Sequence, residues 1–591
     1  MSKIIGFLRK YWIEILVIGV LFIVMLMDCA PSLTWMNVDS DGAEYVMDAI
    51  YFYPAHHTSA PLYLLTGHLF EMIPFGTIYW RMSFMSAVFT LGTMIFIYLV
   101  VRRLLVDNKR KRFFALLATT IFGASALAIS QAVIVETYAV VTFFSVGAYY
   151  FVIRKQWLVA SMFLGMGLVT HHLILLTWLV LFVFNKEMRN WKRWGVSFLF
   201  LIFYLYMPLS VRFTDQPNMW GNTTIKNFFT NNISVFSLLV GKISIWDLPK
   251  RIFDTIGVLG ISLGVALIPI VYWFFKKKHW RQELLWLFLL PIAYQASDLA
   301  PQVAKYMEAS VAWGAIISVI VLSKWWDGGT VIKRFIGEKI IYIGQSPVIS
   351  ILKRGATVAV CIGAVALLIV NGNYWDIGRT LDKNLAANQF YEQELPKIPD
   401  GEIFITNGAW EWIEVFLYNK QNDRHIIPVC LGILAAPQYQ KMLREQGVSL
   451  TDYEIVNDKS SHELNLKQVK VGLSIIAQNL NVWTSISTEP AVYGAVVVPA
   501  KGNEYEISRW VGAAEVNPKV QWNPSNPYDI LTGAIEVEQW NFIVQSNRNA
   551  MWLFVLVTGG MIMGWYCWTI GKKLIKKKVH KDVPAEIETK T

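Results

Sequence analysis

The chain has 591 residues, a mean hydropathy of +0.41 and 16% charged side chains, against about 25% in an ordinary soluble protein. Repeated apolar runs exclude a soluble globular domain and leave a polytopic membrane protein embedded in a lipid bilayer. The net charge of +11 does not point to nucleic acid: more than half of the 53 Lys and Arg residues fall in short segments beside apolar runs, at 3–10, 102–112, 154–155, 186–193, 276–281, 324–354 and 572–581, so the charge reports topology.

The basic start Ser2–Lys10 leads into a first span, Tyr11–Met27, which lacks a small-residue cleavage site and reads as a retained membrane helix. The loop that follows, Asn37–Leu65, is dense in ionisable groups. Asp41, Glu44 and Asp48 stand at i, i+3 and i+7, so a helix here puts three carboxylates on one face. His56 and His57 follow in a turn bounded by Pro54 and Pro61. This cluster reads either as acid–base or cation chemistry at a membrane mouth, or as a solvated loop with a capped helix. Pro61–Ile73 is expected as an interfacial helix.

Further spans are expected at Arg81–Val101, Phe113–Ser130 and Thr137–Ile153, with Gln131 and Glu136 in a very short outer turn. Trp157–Phe184 is interrupted by Thr170-His171-His172 and reads as two short spans with the histidines at the outer turn. Trp194–Arg212, Asp254–Phe275, Glu283–Ala296, Tyr306–Leu322 and Ala356–Val370 continue the alternation, with Asp298, Gln302 and Lys305 at an outer turn and Ile336–Ile343 on a membrane surface. Composition then changes. Residues 372–548 form a polar α/β domain with strand-like runs at Glu402–Thr406, Ile426–Cys430 and Val492–Val498 and a helix near Pro437–Gln446. Met551–Ile570 is a last span before a Lys-rich tail. The sum is twelve spans in a plasma membrane, both termini cytoplasmic and 372–548 extracytoplasmic. The expected divisions are 1–371 (with the loop 28–80), 372–548 and 549–591. The four cysteines show no metal-ligand spacing, and a Cys29–Cys430 disulfide is the one pairing left open.

The order Asp41-x-x-Glu44, His56 twelve residues later, Pro61-Leu62-Tyr63 and Gly67 resembles a group of polytopic proteins related to protein O-mannosyltransferases, within the GT-C superfamily of polyprenyl-phosphate-sugar-dependent glycosyltransferases. Arg81–Ala87, Glu136–Ala139, His172 and Trp220-Gly221 extend the likeness, and Phe404–Lys420 is similar to a strand–turn–helix of the same group. The family's His-Pro-Pro-Gly-Tyr is replaced by His56-His57-Thr58-Ser59-Ala60, and an acidic cluster after Gly408 by Ala409-Trp410-Glu411. The fold implied is mainly α: a GT-C-like bundle of about twelve transmembrane helices with a C-terminal extracytoplasmic α/β domain.

The resemblance implies transfer of a sugar, with mannose the candidate, from a polyprenyl-phosphate donor to a protein or glycolipid hydroxyl. Such a reaction needs a base for the hydroxyl and positive or hydrogen-bonding groups for the departing phosphate. Asp41 is the candidate base, or else a helix cap. Glu44 orients it, holds a cation, or complements the helix dipole; Asp39 is a second candidate. His56, Arg81, Glu136, His172 and Lys305 are candidate substrate ligands. Each has a plainer reading: a loop histidine, a snorkelling anchor, a cap, a turn histidine, an interfacial lysine. No cofactor is implied beyond a possible divalent cation, Mg or Mn. The rival class is a transporter or lipid flippase of cell-envelope precursors, which calls for ionisable groups near the midplane and discontinuous helices.

Overall fold

The structure, a computed structural model, describes residues 2–31, 41–55, 60–213, 248–275, 281–297, 305–327, 332–336, 339–343, 355, 357–360, 362–363, 390–406, 409–430, 434, 437–450, 482–484 and 498–500. The helices α1 (Ser2–Met27), α2 (Asp41–Tyr51), α3 (Pro61–Glu71), α4 (Ile78–Leu104), α5 (Lys111–Gly123), α6 (Ala126–Ala132), α7 (Tyr138–Ile153), α8 (Trp157–Leu168) and α9 (Ile174–Phe184) come first. They are followed by α10 (Trp191–Leu199), α11 (Tyr206–Phe213), α12 (Leu248–Leu263), α13 (Leu267–Phe274), α14 (Gln282–Ser297) and α15 (Glu308–Asp327).

Among the described residues four helical stretches are long and apolar enough to cross a membrane: Leu8–Met27, Ile78–Leu104, Trp191–Ser210 and Lys305–Trp326. They are not equivalent. The most apolar window is 89% buried in Lys305–Trp326 but 17% buried in Leu8–Met27, so α15 is central and α1 peripheral. The central bundle is α4, α5, α7, α8 and α15. Several of its buried hydroxyls are satisfied locally, as an apolar surrounding favours: Thr90 donates to Ser86 O, Thr93 to Phe89 O and Thr119 to Ala115 O. The α4–α7–α8 seam is aromatic, built on Phe89, Phe96, Phe143, Phe144, Phe151 and Phe163. Glycines make room for the rings, since a Cβ at Gly147 would stand 2.5 Å from Phe163.

Three expectations are revised. Phe113–Ser130 is not one straight span: α5 and α6 are bent by 66°. Ser125 makes the break, donating to Phe122 O and accepting from Ala128 N at the start of α6. Gln131, in α6, and Glu136, in the short turn before α7, lie beyond it and are buried. The basic segment holds an antiparallel hairpin, β1 (Ile332–Ile336) with β2 (Lys339–Ile343). Cys29 and Cys430 are buried free thiols, not a disulfide. The two short helices around His171-His172 are present as α8 and α9. The segment 215–247 and the last span, Met551–Ile570, lie outside the described residues.

The C-terminal unit is a mixed sheet in the order β4-β3-β5-β6, with β3 (Ile403–Thr406), β4 (Ile427–Cys430), β5 (Val482–Thr484) and β6 (Val498–Ala500). α16 (Ala409–Asn422) is the crossover that lets β3 and β4 run parallel, and α17 (Pro437–Glu445) follows β4. Trp412 and Tyr439 pack edge to face beneath it, and the Tyr439 hydroxyl bridges Pro428 O and Cys430 N. α16 packs on α2. Its buried Glu414 accepts the Tyr79 hydroxyl from the first turn of α4, and Lys420 lies 6.0 Å from the Tyr51 ring.

Burial pushes the Glu414 carboxyl up to about 7, with the Tyr79 hydrogen bond opposing. Nearby Glu71, also desolvated but beside Arg81, is pushed up to about 8. An acid whose pKa is raised in the packed form costs nothing below its ordinary value of 4.5 and increasingly destabilises that form as pH climbs through the raised value. The seam between α16 and the α2–α4 region is therefore expected to be firmest near pH 5 and to loosen by up to roughly 3 kcal/mol toward pH 8. Hydrogen exchange of 409–422 across that range reads this, and Glu414→Gln is expected to remove much of the slope; an unchanged slope would rule Glu414 out as its source.

Candidate active site

The candidate site begins with α2. Its acidic face is formed as the spacing requires: Glu44 and Asp48 are 3% and 0% exposed, while Asp41, in the first turn, is half-buried. Eleven residues are too few for a stable isolated helix, so neighbours hold it. At its C-terminal end Phe52 takes a left-handed φ of 59°. The Tyr206 hydroxyl donates to Tyr53 O, Ser210 donates to Phe52 O, and His68 Nδ1 bonds Ala49 O at 2.9 Å.

α3 is opened by Pro61 at its first turn. It places Tyr63, fully buried, edge-on to Tyr45 of α2 at 5.1 Å between centroids. The Tyr63 phenol lies within electrostatic reach of Glu136.

Glu136 is 3% exposed and Lys305 2% exposed, and their charges meet at 3.8 Å. Glu136 Oε2 accepts from Thr137 N, and Ser86 donates to the Glu136 backbone carbonyl. The Lys305 ammonium lies 5.3 Å from the Tyr138 ring and 5.9 Å from the Tyr306 ring. Beyond these, His171 sits 5.2 Å from Tyr138 and stacks on His172 at 4.2 Å, and His172 Nε2 bonds the Tyr294 hydroxyl at 2.9 Å. A narrow cavity runs from Lys305 and Tyr306 past Tyr138 to hydroxyls of Thr142, Ser145 and Thr177. Ser145 and Thr177 hydrogen-bond each other at 2.7 Å.

Of the residues singled out by sequence, Glu136, His172 and Lys305 fall in one cluster; Asp41 and Glu44 lie on α2, which packs on α3 through Tyr45 and Tyr63. Arg81 is elsewhere. Its guanidinium donates to Glu71 O, Phe75 O and Gly76 O and lies 3.6 Å from the Glu71 carboxylate, clamping the turn between α3 and α4. Asp39 and His56 lie outside the described residues. Sequence reasoning met Tyr63 and Tyr138 only as members of the motifs Pro61-Leu62-Tyr63 and Glu136–Ala139, and did not single out Tyr294 and Tyr306. The available signal was adjacency: Tyr138 is two residues from Glu136, and Tyr306 follows Lys305. Among the described residues no group of three or more His, Cys, Asp and Glu is placed to hold a metal ion.

Residues 41–194, about a quarter of the chain, match the family model described as protein O-mannosyl-transferase TMEM260 N-terminal domain. No curated protein sequence matches the chain. Two crystal structures of ArnT from Cupriavidus metallidurans are similar at 13% identity. The one bound to undecaprenyl phosphate aligns over 71% of this chain and 90% of its own, with a TM-score of 0.44. The apo form aligns over 81% and 93%, with a TM-score of 0.48. Over residues 41–194 the chain is O-mannosyl-transferase-like.

Removing one partner of a buried ion pair leaves an uncompensated charge, typically at a cost of about 3–5 kcal/mol. Lys305→Met and Glu136→Met are each expected to lower the thermal midpoint in detergent, and the double variant to recover most of the loss. Additive losses in the double variant would mean that the two side chains are not energetically coupled.

Proposed function

We propose that the chain transfers a sugar, with mannose the first candidate, from a polyprenyl-phosphate carrier to a hydroxyl of a protein or glycolipid acceptor. The observation that carries this reading is the buried ion pair between Lys305 and Glu136, the latter within the segment that matches the O-mannosyl-transferase family model and that also contains the acidic helix α2. In this reading the Lys305 ammonium serves the departing phosphate and the α2 carboxylates serve the acceptor hydroxyl.

In this reading Asp41 takes the proton from the acceptor hydroxyl, whose oxygen attacks the anomeric carbon. The bond from that carbon to the phosphate oxygen breaks, the electron pair leaves on the polyprenyl phosphate, and the anomeric configuration inverts. Lys305, steered by Glu136 and flanked by Tyr138 and Tyr306, stabilises the phosphate as charge develops on it. His172, with Tyr294, lines the same approach. Glu44 sits one turn below Asp41 and orients it. Asp39 and His56 are proposed to border the same mouth, and Arg81 to shape it by clamping residues 71–77. A divalent cation at the carboxylates is part of the proposal to be tested by chelation.

The donor lipid lies along the bundle, and the mouth opens on the side that carries the α/β unit of residues 372–548. That side is the extracytoplasmic one in this reading, with both termini and the basic segments on the other. The sheet unit, seated on α2, forms part of the acceptor approach.

The test is sugar transfer by the purified full-length protein in detergent from polyprenyl-phosphate and nucleotide sugars, with Asp41→Asn alongside. Transfer from the lipid-linked donor is expected, reduced about 10²- to 10⁴-fold in the variant. Activity that survives the substitution would move the base to Asp39 or Glu44. No transfer from any donor by folded protein would favour the transporter or flippase reading.

A further inference from the structure

A second charged cluster lies at the other end of α4. Arg102 is sixteen residues beyond Ser86, the residue that touches Glu136, which puts it on the order of 24 Å away along the helix. There α1 leaves helical geometry at Tyr11 (φ −119°, ψ 19°). Three cations gather at this ring: Lys10 Nζ at 5.4 Å, Arg102 Cζ at 5.6 Å and Arg112 Cζ at 5.1 Å from its centroid.

The three are not alike. Arg112 is paired with Glu14 through two hydrogen bonds of 2.6 and 2.8 Å and also donates to Lys10 O. Glu14 accepts in addition from the Tyr98 hydroxyl at 2.7 Å, so the carboxylate of this cluster is fully occupied. Arg102 lies against the Tyr11 and Tyr98 rings, and its Nε is buried with no hydrogen-bond partner among the described residues. One carboxylate therefore faces three cations, and the guanidinium between the two rings has a donor left over. A buried donor of this kind calls for an acceptor oxygen.

The surroundings say what kind of molecule brings it. Below the cluster α1 presents exposed apolar side chains, Trp12, Leu16, Val20 and Ile23, and Phe113 on α5 is exposed as well. These are surfaces that only acyl chains would cover in a bilayer. A ligand with an anionic oxygen-rich head and a long apolar body fits both parts at once.

We propose that the corner formed by Lys10, Tyr11 and Arg102 binds the phosphate of an anionic phospholipid, with its acyl chains lying along the exposed face of α1. The Arg102 guanidinium and the Lys10 ammonium donate to phosphate oxygens, and the Tyr11 ring holds both cations in place. The site is separate from the Glu136–Lys305 mouth and takes a structural lipid rather than the sugar donor. Because α1 is the peripheral helix, a lipid bridging α1 and α4 staples it to the bundle.

The experiment compares lipids retained by the full chain after purification from nanodiscs of mixed phosphatidylglycerol and phosphatidylcholine, read by native mass spectrometry. Wild type is expected to retain phosphatidylglycerol preferentially. Arg102→Gln and Lys10→Gln are each expected to cut that preference about fivefold, the loss of one cation at an anionic lipid surface. Arg103→Gln, which removes an exposed neighbouring charge, is expected to change it less than twofold. A soluble glycerophosphate in excess is expected not to displace the lipid, since it lacks the acyl part; displacement would mean a simple phosphate site and overturn the proposal. Equal losses in the Arg102 and Arg103 variants would mean diffuse attraction, and no preference in the wild type would mean no site; either result refutes it. A thermal midpoint within two degrees or so of wild type keeps the variants interpretable, and Lys10→Gln serves if Arg102→Gln misfolds.

Discussion

The bundle depends on one interaction between residues far apart in the chain. Glu136 stands immediately before α7, and Lys305 leads directly into α15. Their contact pins the starts of the two helices to one level. The carboxylate has a further reason to sit there, because it accepts from Thr137 N where the helix leaves its first N–H groups unsatisfied. One turn further in, Glu308 of α15 accepts from Thr142 of α7, so the helices are tied twice. Burying two opposite charges is poor stabilisation compared with packed hydrocarbon. Their persistence at the mouth of a cavity is better explained by the chemistry they permit than by stability.

The rest of the architecture delivers these two residues. The 66° bend at Ser125 ends α5 early and turns α6 sideways, so that the chain reaches Glu136 inside the protein rather than at its rim. The same bend brings Val133 O to Ala30 N, joining the end of α1 to this segment. Tyr63, Tyr138 and Tyr306 then enclose the pair.

How far the sequence could be read follows from the range of each signal. Apolar runs placed most helices well: Arg81–Val101 was expected where α4 covers Ile78–Leu104, and the histidine break between α8 and α9 was visible as an interruption. The i, i+3, i+7 acids of α2 were legible because the signal is local to one helix. The Ser125 bend was not, since apolar composition continues unbroken across it and one serine is a weak mark. Arg81 looked like a free cation at a span start. The carbonyls of Glu71, Phe75 and Gly76 that occupy it belong to backbone geometry, which composition does not encode. The strand Val482–Thr484 is too short to show a period of its own. The coming together of Glu136 and Lys305 is a tertiary event, and nothing in the spacing of either announces it.

α2 is where these separate parts converge. It is too short to hold its own shape, and it is braced on one side by α3 and on another by α16 of the sheet unit. The position of Asp41 therefore depends on two bodies with different constraints. The α3 side is fixed by the membrane bundle through Tyr63 and by the Arg81 clamp on the following turn. The α16 side is fixed by side chains of a mixed α/β unit, through Glu414, Lys420 and their contacts with Tyr79 and Tyr51. Substitutions on the α16 surface can shift α2 by fractions of an ångström without touching the Glu136–Lys305 pair. Alignment of reacting groups is sensitive to displacements of that size. A fold arranged in this way lets the sheet unit reposition α2 while the Glu136–Lys305 pair stays fixed in the bundle.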